Sequence, residues 1–505
     1  MCTSVAAGKK ATKSSNTLIA RNEDCERNNW NKYMVYRKNP EYYPIKNNIV
    51  IQKNKWVLGN GLEVDIPKKH YSYSAMPDAI AYEEATHSIK SRYFFEERGI
   101  NECNVAISAT NSLSARASQE EKNSDGTRNN RYDKNCKKMQ ELDPFVKIGI
   151  EESIITTLIL PQMESAKNGV ELLGKYVETK GASEGNGILF SDKDEVWYME
   201  IGSGHHWIAI RVPDNMYITV ANGMRIHNVD LDSSDVLHSK KLFEFVSKNK
   251  FLQNPKKNSF NFAQAFGILG DPYNDDRIWL AQRILTPSKK QNPPKIQDRQ
   301  KVKGAQTKEQ YPLFLKPDKK IKLRDVMNLL RANYNNTPLQ GKAKRPIGVY
   351  RTGESHIITI DSTMPKSVGG IIWQTISTPL GTPYIPLYNA MNEVPANYAI
   401  GNDQYNPLSA FWSFRGLFGM AECNKSYEKE IQEYWFDYED QFLNEISFVN
   451  SSINNMFKKD KSIANDFAKR YSVGITYDAV AKANKKRDSL ITKLTLEQGY
   501  QKQNL

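Results

Sequence analysis

The chain opens Met1-Cys2-Thr3-Ser4-Val5-Ala6-Ala7-Gly8-Lys9-Lys10-Ala11-Thr12 and continues Lys13-Ser14-Ser15-Asn16-Thr17-Leu18-Ile19-Ala20-Arg21-Asn22-Glu23-Asp24. Cys2 stands directly behind the initiator methionine, and methionine aminopeptidases remove Met1 when a small residue such as cysteine comes second. The mature chain is then expected to begin with a residue carrying both a thiol and a free α-amine. A thiol of ordinary pKa about 8.5 sits there beside an amine of about 7.7–8.0, partly neutral at working pH. Such a residue can activate its own nucleophile without a distant histidine. Standing alone, Met-Cys is an accident of the start codon, so the weight falls on the residues after it.

Those residues, from Cys2 to Asp24, read as strand, tight turn, strand. Lys13-Ser14-Ser15-Asn16 is rich in turn formers, and Leu18 to Ala20 suits a buried strand. A hairpin folds Arg21 and Asp24 back toward Cys2. A guanidinium there favours thiolate over thiol, and a carboxylate can hold the α-amine. By itself an Arg-Asn-Glu-Asp cluster is an ordinary solvated strand end.

With these residues in place the sequence resembles the C69 dipeptidases, N-terminal-nucleophile hydrolases whose wider relatives are bile-salt hydrolases and penicillin V acylases. The resemblance rests on Cys2, on Gly8 to Thr12 and on Leu18 to Asp24. It continues through Asp143-Pro144-Phe145-Val146, Gly149-Ile150-Glu151-Glu152-Ser153 and Glu184-Gly185-Asn186-Gly187. It is dense from Glu195 to Trp207, then resumes at Arg277-Ile278-Trp279 and from Gly381 to Tyr388, so it spans most of the chain. Its implication for the fold is α+β, a four-layer αββα sandwich, to which a helical C-terminal extension is added here. The expected division is a catalytic domain over 1–424 and an extension over 425–505.

The resemblance also implies roles. Cys2 aligns with the family nucleophile, and Arg21 and Asp24 with the Arg-Asn-x-Asp pair that flanks it. Asn222 looks like the asparagine lining the oxyanion hole, where one such amide donor is worth roughly 3–4 kcal/mol. Arg277 matches a second arginine near the nucleophile. On its own residues, Asn222-Gly223 also reads as a plain turn after a strand.

Two positions depart from the family pattern. Lys13-Ser14-Ser15-Asn16 replaces an Asp-Gly-Ser turn, and Asn16 is expected to take the left-handed conformation that keeps the hairpin. Asn111, after Ile107-Ser108-Ala109-Thr110, stands where the dipeptidases carry glutamate and the acylase relatives asparagine. It is therefore the candidate substrate-binding residue for the substrate amino group.

Composition fits an enzyme that needs no disulfides. Five scattered cysteines (Cys2, Cys25, Cys103, Cys136, Cys423) show no CxxC or CxxH spacing, so neither a disulfide framework nor a zinc site is indicated. Cys25 reads as packing. The N-terminus lacks the apolar core of a signal peptide and no long apolar run occurs, so a cytoplasmic protein without membrane partners is expected. The net charge of +13 comes from 70 basic residues interspersed with 57 acidic ones, which argues against a nucleic-acid groove. The densest basic stretch, Ser288 to Lys322, holds four prolines and reads as a solvated connection.

A coarse pass gives a β-rich front and a helical back. Glu102–Thr110 reads as a strand and Arg116–Lys138 as a loop. Helical spacing runs from Glu151 to Leu173, broken or kinked by Pro161 and Gly169. Strands are expected at Gly187–Phe190, Glu195–Ile201, Trp207–Arg211, Met216–Val220, His356–Ile360 and Gly370–Thr375. In the tail, Tyr427, Ile431, Tyr434, Trp435, Tyr438, Phe442, Ile446 and Val449 fall at helical spacing. That stripe predicts a face packed on the core or on a second copy in a homo-oligomer. Further helices are expected at Ser462–Arg470 and Tyr477–Leu490. His205 and His206, adjacent on a strand, point to opposite faces and do not share an ion easily. Glu354 and His356 share a strand face and carry no assigned role.

The expected chemistry is hydrolysis of a short peptide through a thioester on Cys2, with no metal or organic cofactor. Two alternatives stand beside it: an amidase acting on non-peptide acyl amides of the bile-salt or penicillin type, and a non-catalytic protein retaining the fold.

Overall fold

The structure, a computed structural model of the chain, describes residues 2–25, 31–38, 51–52, 55–79, 95–123, 127, 129, 131–294, 311–343, 345–401 and 404–503, with backbone alone at 51–52, 109–112 and 498–503. Strands β1 (Thr3–Ala7) and β2 (Thr17–Asp24) pair antiparallel, Thr3 opposite Asn22 and Ala7 opposite Leu18. The Thr12 hydroxyl closes the turn by donating to the Asn16 carbonyl at 2.7 Å. The left-handed residue is Ser15, at φ 60°, and not Asn16 as expected. Gly8 ends β1 against the Pro213-Asp214 turn, where an added Cβ would lie 2.5 Å from backbone atoms of both residues. Only glycine permits that approach.

This hairpin is the middle of a six-stranded sheet. β13 (Tyr217–Val220) pairs with β1, while β15 (Thr352–Ile360), β16 (Gly370–Ile376) and β17 (Ile385–Tyr388) come after β2. The registers lay Ser4, Arg21, His356 and Gln374 in one cross-strand row. A second sheet runs in the order β14 (Val236–His238), β12 (Trp207–Arg211), β11 (Val196–Ile201), β10 (Asn186–Ser191), β9 (Ala106–Ser112), β8 (Glu96–Asn101), β7 (Tyr73–Pro77) and β3 (Val35–Arg37). A small third sheet joins β4 (Ile51–Gln52), β5 (Lys55–Val57) and β6 (Glu63–Asp65).

The period of two along each strand divides the core. Ala6, Ile19 and Ile358 of the first sheet cluster with Ala106, Leu189 and Tyr198 of the second. Their neighbours turn the other way. Ile107, Ile188 and Trp197 pack with Ile154, Leu158, Val170 and Leu173 from the helices Glu152–Ile159 and Ala166–Lys180. Val5, Leu18, Ile357 and Trp373 pack with Trp279, Met327, Phe414 and Trp435, which come from the helices Pro272–Leu285, Leu323–Leu330, Ala410–Cys423 and Ser426–Lys459. The chain is α+β.

Several boundaries differ from expectation for local reasons. The strand expected from Glu102 begins at Ala106, because Asn101 Oδ1 accepts the amides of Cys103 and Val105 and holds a turn there. The expected loop 116–138 ends in a helix, Lys134–Leu142, whose first amides are capped by Asp133. Pro161 does separate two helices, but Gly169 lies inside the second against the Phe190 ring. His205 and His206 sit in the turn between β11 and β12, not on a strand. Within 288–322, residues 295–310 lie outside the described residues. Leu313, Leu315 and Ile321 are buried, so that end of the segment is packed and not solvated. The aromatic stripe lies on the Ser426–Lys459 helix, and Tyr427, Ile431, Trp435, Tyr438 and Phe442 are buried in the core. The two tail helices expected beyond it are one, Lys461–Gln503, running through Gly474, which nothing crowds. No helix among the described residues is long and apolar enough to cross a membrane.

Candidate active site

Cys2 leads into β1 and is 1% exposed. Because Ser4 lies opposite Arg21, the Arg21 side chain on β2 reaches back along the inner face to the cysteine. Its Nη2 donates to Cys2 Sγ at 3.0 Å. The same nitrogen donates to Glu152 Oε1 at 3.1 Å and to Glu97 Oε2. Glu97 comes from β8 of the other sheet and Glu152 from the first residue of its helix. Burial opposes the Arg21 charge, but Cys2, Glu97 and Glu152 together hold the guanidinium well above its ordinary range. Burial likewise opposes ionisation of Glu97, and Arg21 and Lys32 outweigh it, holding that carboxyl below its usual range. Glu152 goes the other way: burial, then the neighbouring Glu97, push it well above.

On the opposite side of the hairpin, Arg277 projects from the Pro272–Leu285 helix. Asp271 caps that helix and Pro272 starts it, a signature of a well-defined N-terminus. Arg277 Nη1 donates to the main-chain carbonyl of Cys2 at 2.6 Å and to Thr3 Oγ1 at 3.0 Å. Its Nη2 donates to Asn222 Oδ1 at 2.9 Å and to Asn274 Oδ1 at 3.0 Å. Asn274 Oδ1 also accepts the Asn222 main-chain N–H at 3.0 Å. Burial, then the charge of Arg345, push Arg277 down to about 10, so it remains a cation at neutral pH. Asn222 is thus fixed by its backbone and by its side-chain oxygen, which orients the amide.

Asp24 is placed differently from Arg21. Three residues on, alternation turns it to the other face of β2, where Arg345 pairs with its carboxylate and Thr352 Oγ1 donates to it at 2.6 Å. Arg345 also donates to the Tyr273 hydroxyl at 3.0 Å, and the Tyr273 carbonyl accepts from Arg277 Nε at 2.9 Å. The structure therefore links Asp24 to the cysteine through Arg345, Tyr273 and Arg277. Asn111 lies on β9, and its side chain is outside the described residues, as is Met1.

The structure brings Cys2, Arg21, Asn222 and Arg277 together, and sequence reasoning missed several of their partners. Asn274 was findable as the residue one helical turn before Arg277. Glu152 lay inside a quoted motif without a role. Glu97, Arg345 and Tyr273 carried no local signal. Among the described residues, Glu23, Asp78 and Glu97 form the one carboxylate group that could hold a metal ion, and Lys32 already pairs with Glu23 and Asp78 there. His205 and His206 turn to separate partners, Asp143 at 2.7 Å and Ser239 at 2.9 Å. His356 bonds Glu354 at 2.8 Å and Ser108 at 3.1 Å, a buried and satisfied pair. Burial, then Glu23, push the Cys25 thiol well up, which suits packing and not attack.

The sequence model of peptidase family C69 matches residues 1–437. A Latilactobacillus sakei protein named "Probable dipeptidase" is 31% identical over 457 residues, covering 86% of this chain and 85% of its own. A "Probable dipeptidase B" of Lactococcus lactis subsp. lactis is 30% identical, covering 81% and 79%. Another of that name from Streptococcus pyogenes serotype M1 is 27% identical, covering 100% and 94%. Among solved structures, a mutant conjugated bile acid hydrolase from Clostridium perfringens is 13% identical, covers 74% of this chain and 89% of its own, and has a TM-score of 0.32.

Proposed function

The chain belongs to peptidase family C69, and from that premise we propose that it is a cysteine dipeptidase whose nucleophile is Cys2, exposed by removal of Met1. The observation that carries the reading is the buried Cys2 thiol 3.0 Å from Arg21 Nη2. In the proposed cycle the α-amine of Cys2 takes the thiol proton, directly or through a water. The thiolate attacks the carbonyl carbon of the substrate's peptide bond. Asn222, its side-chain oxygen held by Arg277, offers its amide N–H to the developing oxyanion together with a backbone N–H. The leaving amine takes the proton and a thioester remains on Cys2. Water, activated by the same α-amine, hydrolyses it. Arg21 supplies the charge beside sulfur, and Asp24 acts through Arg345 and Tyr273. No step needs a metal or organic cofactor.

The names of the relatives support a dipeptide substrate. Hydrolysis of a panel of free dipeptides, with the same dipeptides N-acetylated, tests it. Cleavage of the free forms alone, abolished by Cys2→Ala, is the expected result. Cleavage of N-blocked or non-peptide acyl amides instead would move the assignment to an acylase, with Asn111 as the residue to exchange for glutamate. The order of the three clusters supports an αββα stacking of the N-terminal-nucleophile type. We also propose a catalytic body over 1–424, a helical extension over 425–505 packed on it, a cytoplasmic location, and no nucleic-acid or membrane partner.

A further inference from the structure

Arg21 Nη2 carries two hydrogens, and three acceptors meet it: Cys2 Sγ at 3.0 Å, Glu152 Oε1 at 3.1 Å and Glu97 Oε2. The Arg21 side chain is 0% exposed and those of Glu97 and Glu152 are 6% and 5%. The rest of the guanidinium gives no relief. Nη1 reaches the Glu97 main-chain carbonyl at 3.4 Å, and Nε has no hydrogen-bond partner among the described residues. Two hydrogens cannot each fully serve a thiolate and two carboxylates, and with Glu23 beside Glu97 the buried acidic groups outnumber the cations Arg21 and Lys32 and repel strongly. One of the three acceptors must carry a proton.

Glu97 is the poorest place for it, since Arg21 binds both its side chain and its carbonyl and Lys32 adds a second cation nearby. The charged groups facing Glu152 are Cys2 just before β1, Arg21 from β2, Glu97 from β8 and Glu184, whose carboxylate accepts the Glu152 main-chain N–H at 2.9 Å. Apart from Arg21, every one of them disfavours a charge on Glu152. Resting on the reading of Cys2 as the nucleophile, we infer that Cys2 and Glu152 hold a single proton between them, and that Glu152 positions Arg21 for the sulfur. In one state sulfur keeps its S–H and the Glu152 carboxylate takes an Arg21 N–H. In the other the S–H bond is broken, an O–H bond is formed on Glu152, and that N–H turns to the thiolate. The total charge is the same in both. The α-amine remains the base of the catalytic cycle; Glu152 governs whether Arg21 is available to sulfur.

The test is the rate of Cys2 alkylation by iodoacetamide against pH, in the Met1-processed protein and in Glu152→Gln. The wild-type profile is expected to carry one ionisation step that the variant lacks. The variant should reach half its maximal rate at a pH lower by about one unit or more, which is about tenfold faster alkylation on the acid limb. If wild-type Cys2 does not react at all, the nucleophile assignment and this inference fall together. If it reacts and the two profiles superpose, the inference alone falls. Should Glu152→Gln not fold, infrared difference spectra of the wild type decide. With one shared proton, the S–H band and a protonated-carboxyl band each lose intensity in both ionisation steps of the pH series; S–H loss in a step that leaves the carboxyl band unchanged overturns it.

Discussion

Arg277 donates from Nη2 to Asn222 Oδ1 at 2.9 Å, while Nη1 of the same guanidinium holds the carbonyl of Cys2 at 2.6 Å. One planar cation therefore sets both the start of β1 and the orientation of the amide assigned to the oxyanion. Removing the amide should act on the transition state and hardly on binding. Asn222→Ala is expected to lower kcat by about 100- to 1,000-fold with little change in KM. Steady-state kinetics on the best dipeptide check this, and a loss under tenfold would remove Asn222 from the oxyanion role.

Arg21 is the counter-charge of two buried carboxylates as well as the neighbour of sulfur. Arg21→Met leaves Glu97 and Glu152 without it, and should destabilise the fold by about 3–5 kcal/mol. Urea unfolding of the inactive Cys2→Ala background separates this from any catalytic effect. A loss below about 1 kcal/mol would mean that both carboxylates neutralise freely.

Asp24 and Arg345 form the outer end of the chain of contacts leading to Arg277. Asp24→Asn and Arg345→Met should each reduce kcat/KM, and the double variant should be hardly worse than either single one. A coupling of about 0.5–3 kcal/mol is expected from buried groups in direct contact. Additive losses would show that Asp24 reaches the chemistry by a separate route.

Glu200, on β11, anchors the segment just after Asn222. Its carboxylate accepts the main-chain N–H groups of Arg225 and of Ile226, the latter at 3.2 Å, and the Tyr198 hydroxyl at 3.0 Å. Burial outweighs those bonds and pushes Glu200 up from 4.5 to about 7. A raised pKa means that the folded state binds the proton more tightly than the unfolded chain. The contribution is then fully present below about pH 4.5 and is lost as pH rises toward about 7, by about 3 kcal/mol in all. Compared with Glu200→Gln, the wild type should lose stability across that window when unfolding is followed at a series of pH values. Parallel curves would contradict it.

The sequence carried the parts of the fold that depend on local chemistry. The hairpin from Thr3 to Asp24 came from turn formers between two apolar runs, and the strands from Gly187 to Val220 from clear turns at Ser191–Asp194 and Pro213–Asn215. The turn's left-handed position was misassigned because serine carries little bias toward it, and Asn16 carries more. The tail helices merged because no proline interrupts Lys461–Gln503, the Ser472 and Thr476 hydroxyls bond carbonyls of their own helix, and Gly474 weakens a helix without ending it. At the site, Arg21 was legible because register is set by the hairpin. Glu97 and Glu152 were not, because their approach depends on how one sheet and one helix are placed against another sheet. Asp24 was read from the hairpin and from the Arg-Asn-x-Asp motif. Its carboxylate meets Arg345 and Thr352, partners that lie more than 300 residues away and carried no local signal.

The most direct measurement is the intact mass of the purified protein before and after one equivalent of iodoacetamide, with the adduct mapped by peptide sequencing. The account predicts a chain lighter by one methionine, a single adduct on Cys2, and dipeptide hydrolysis lost in step with labelling. A chain that keeps Met1 yet hydrolyses dipeptides, or one whose activity survives full labelling of Cys2, would contradict it.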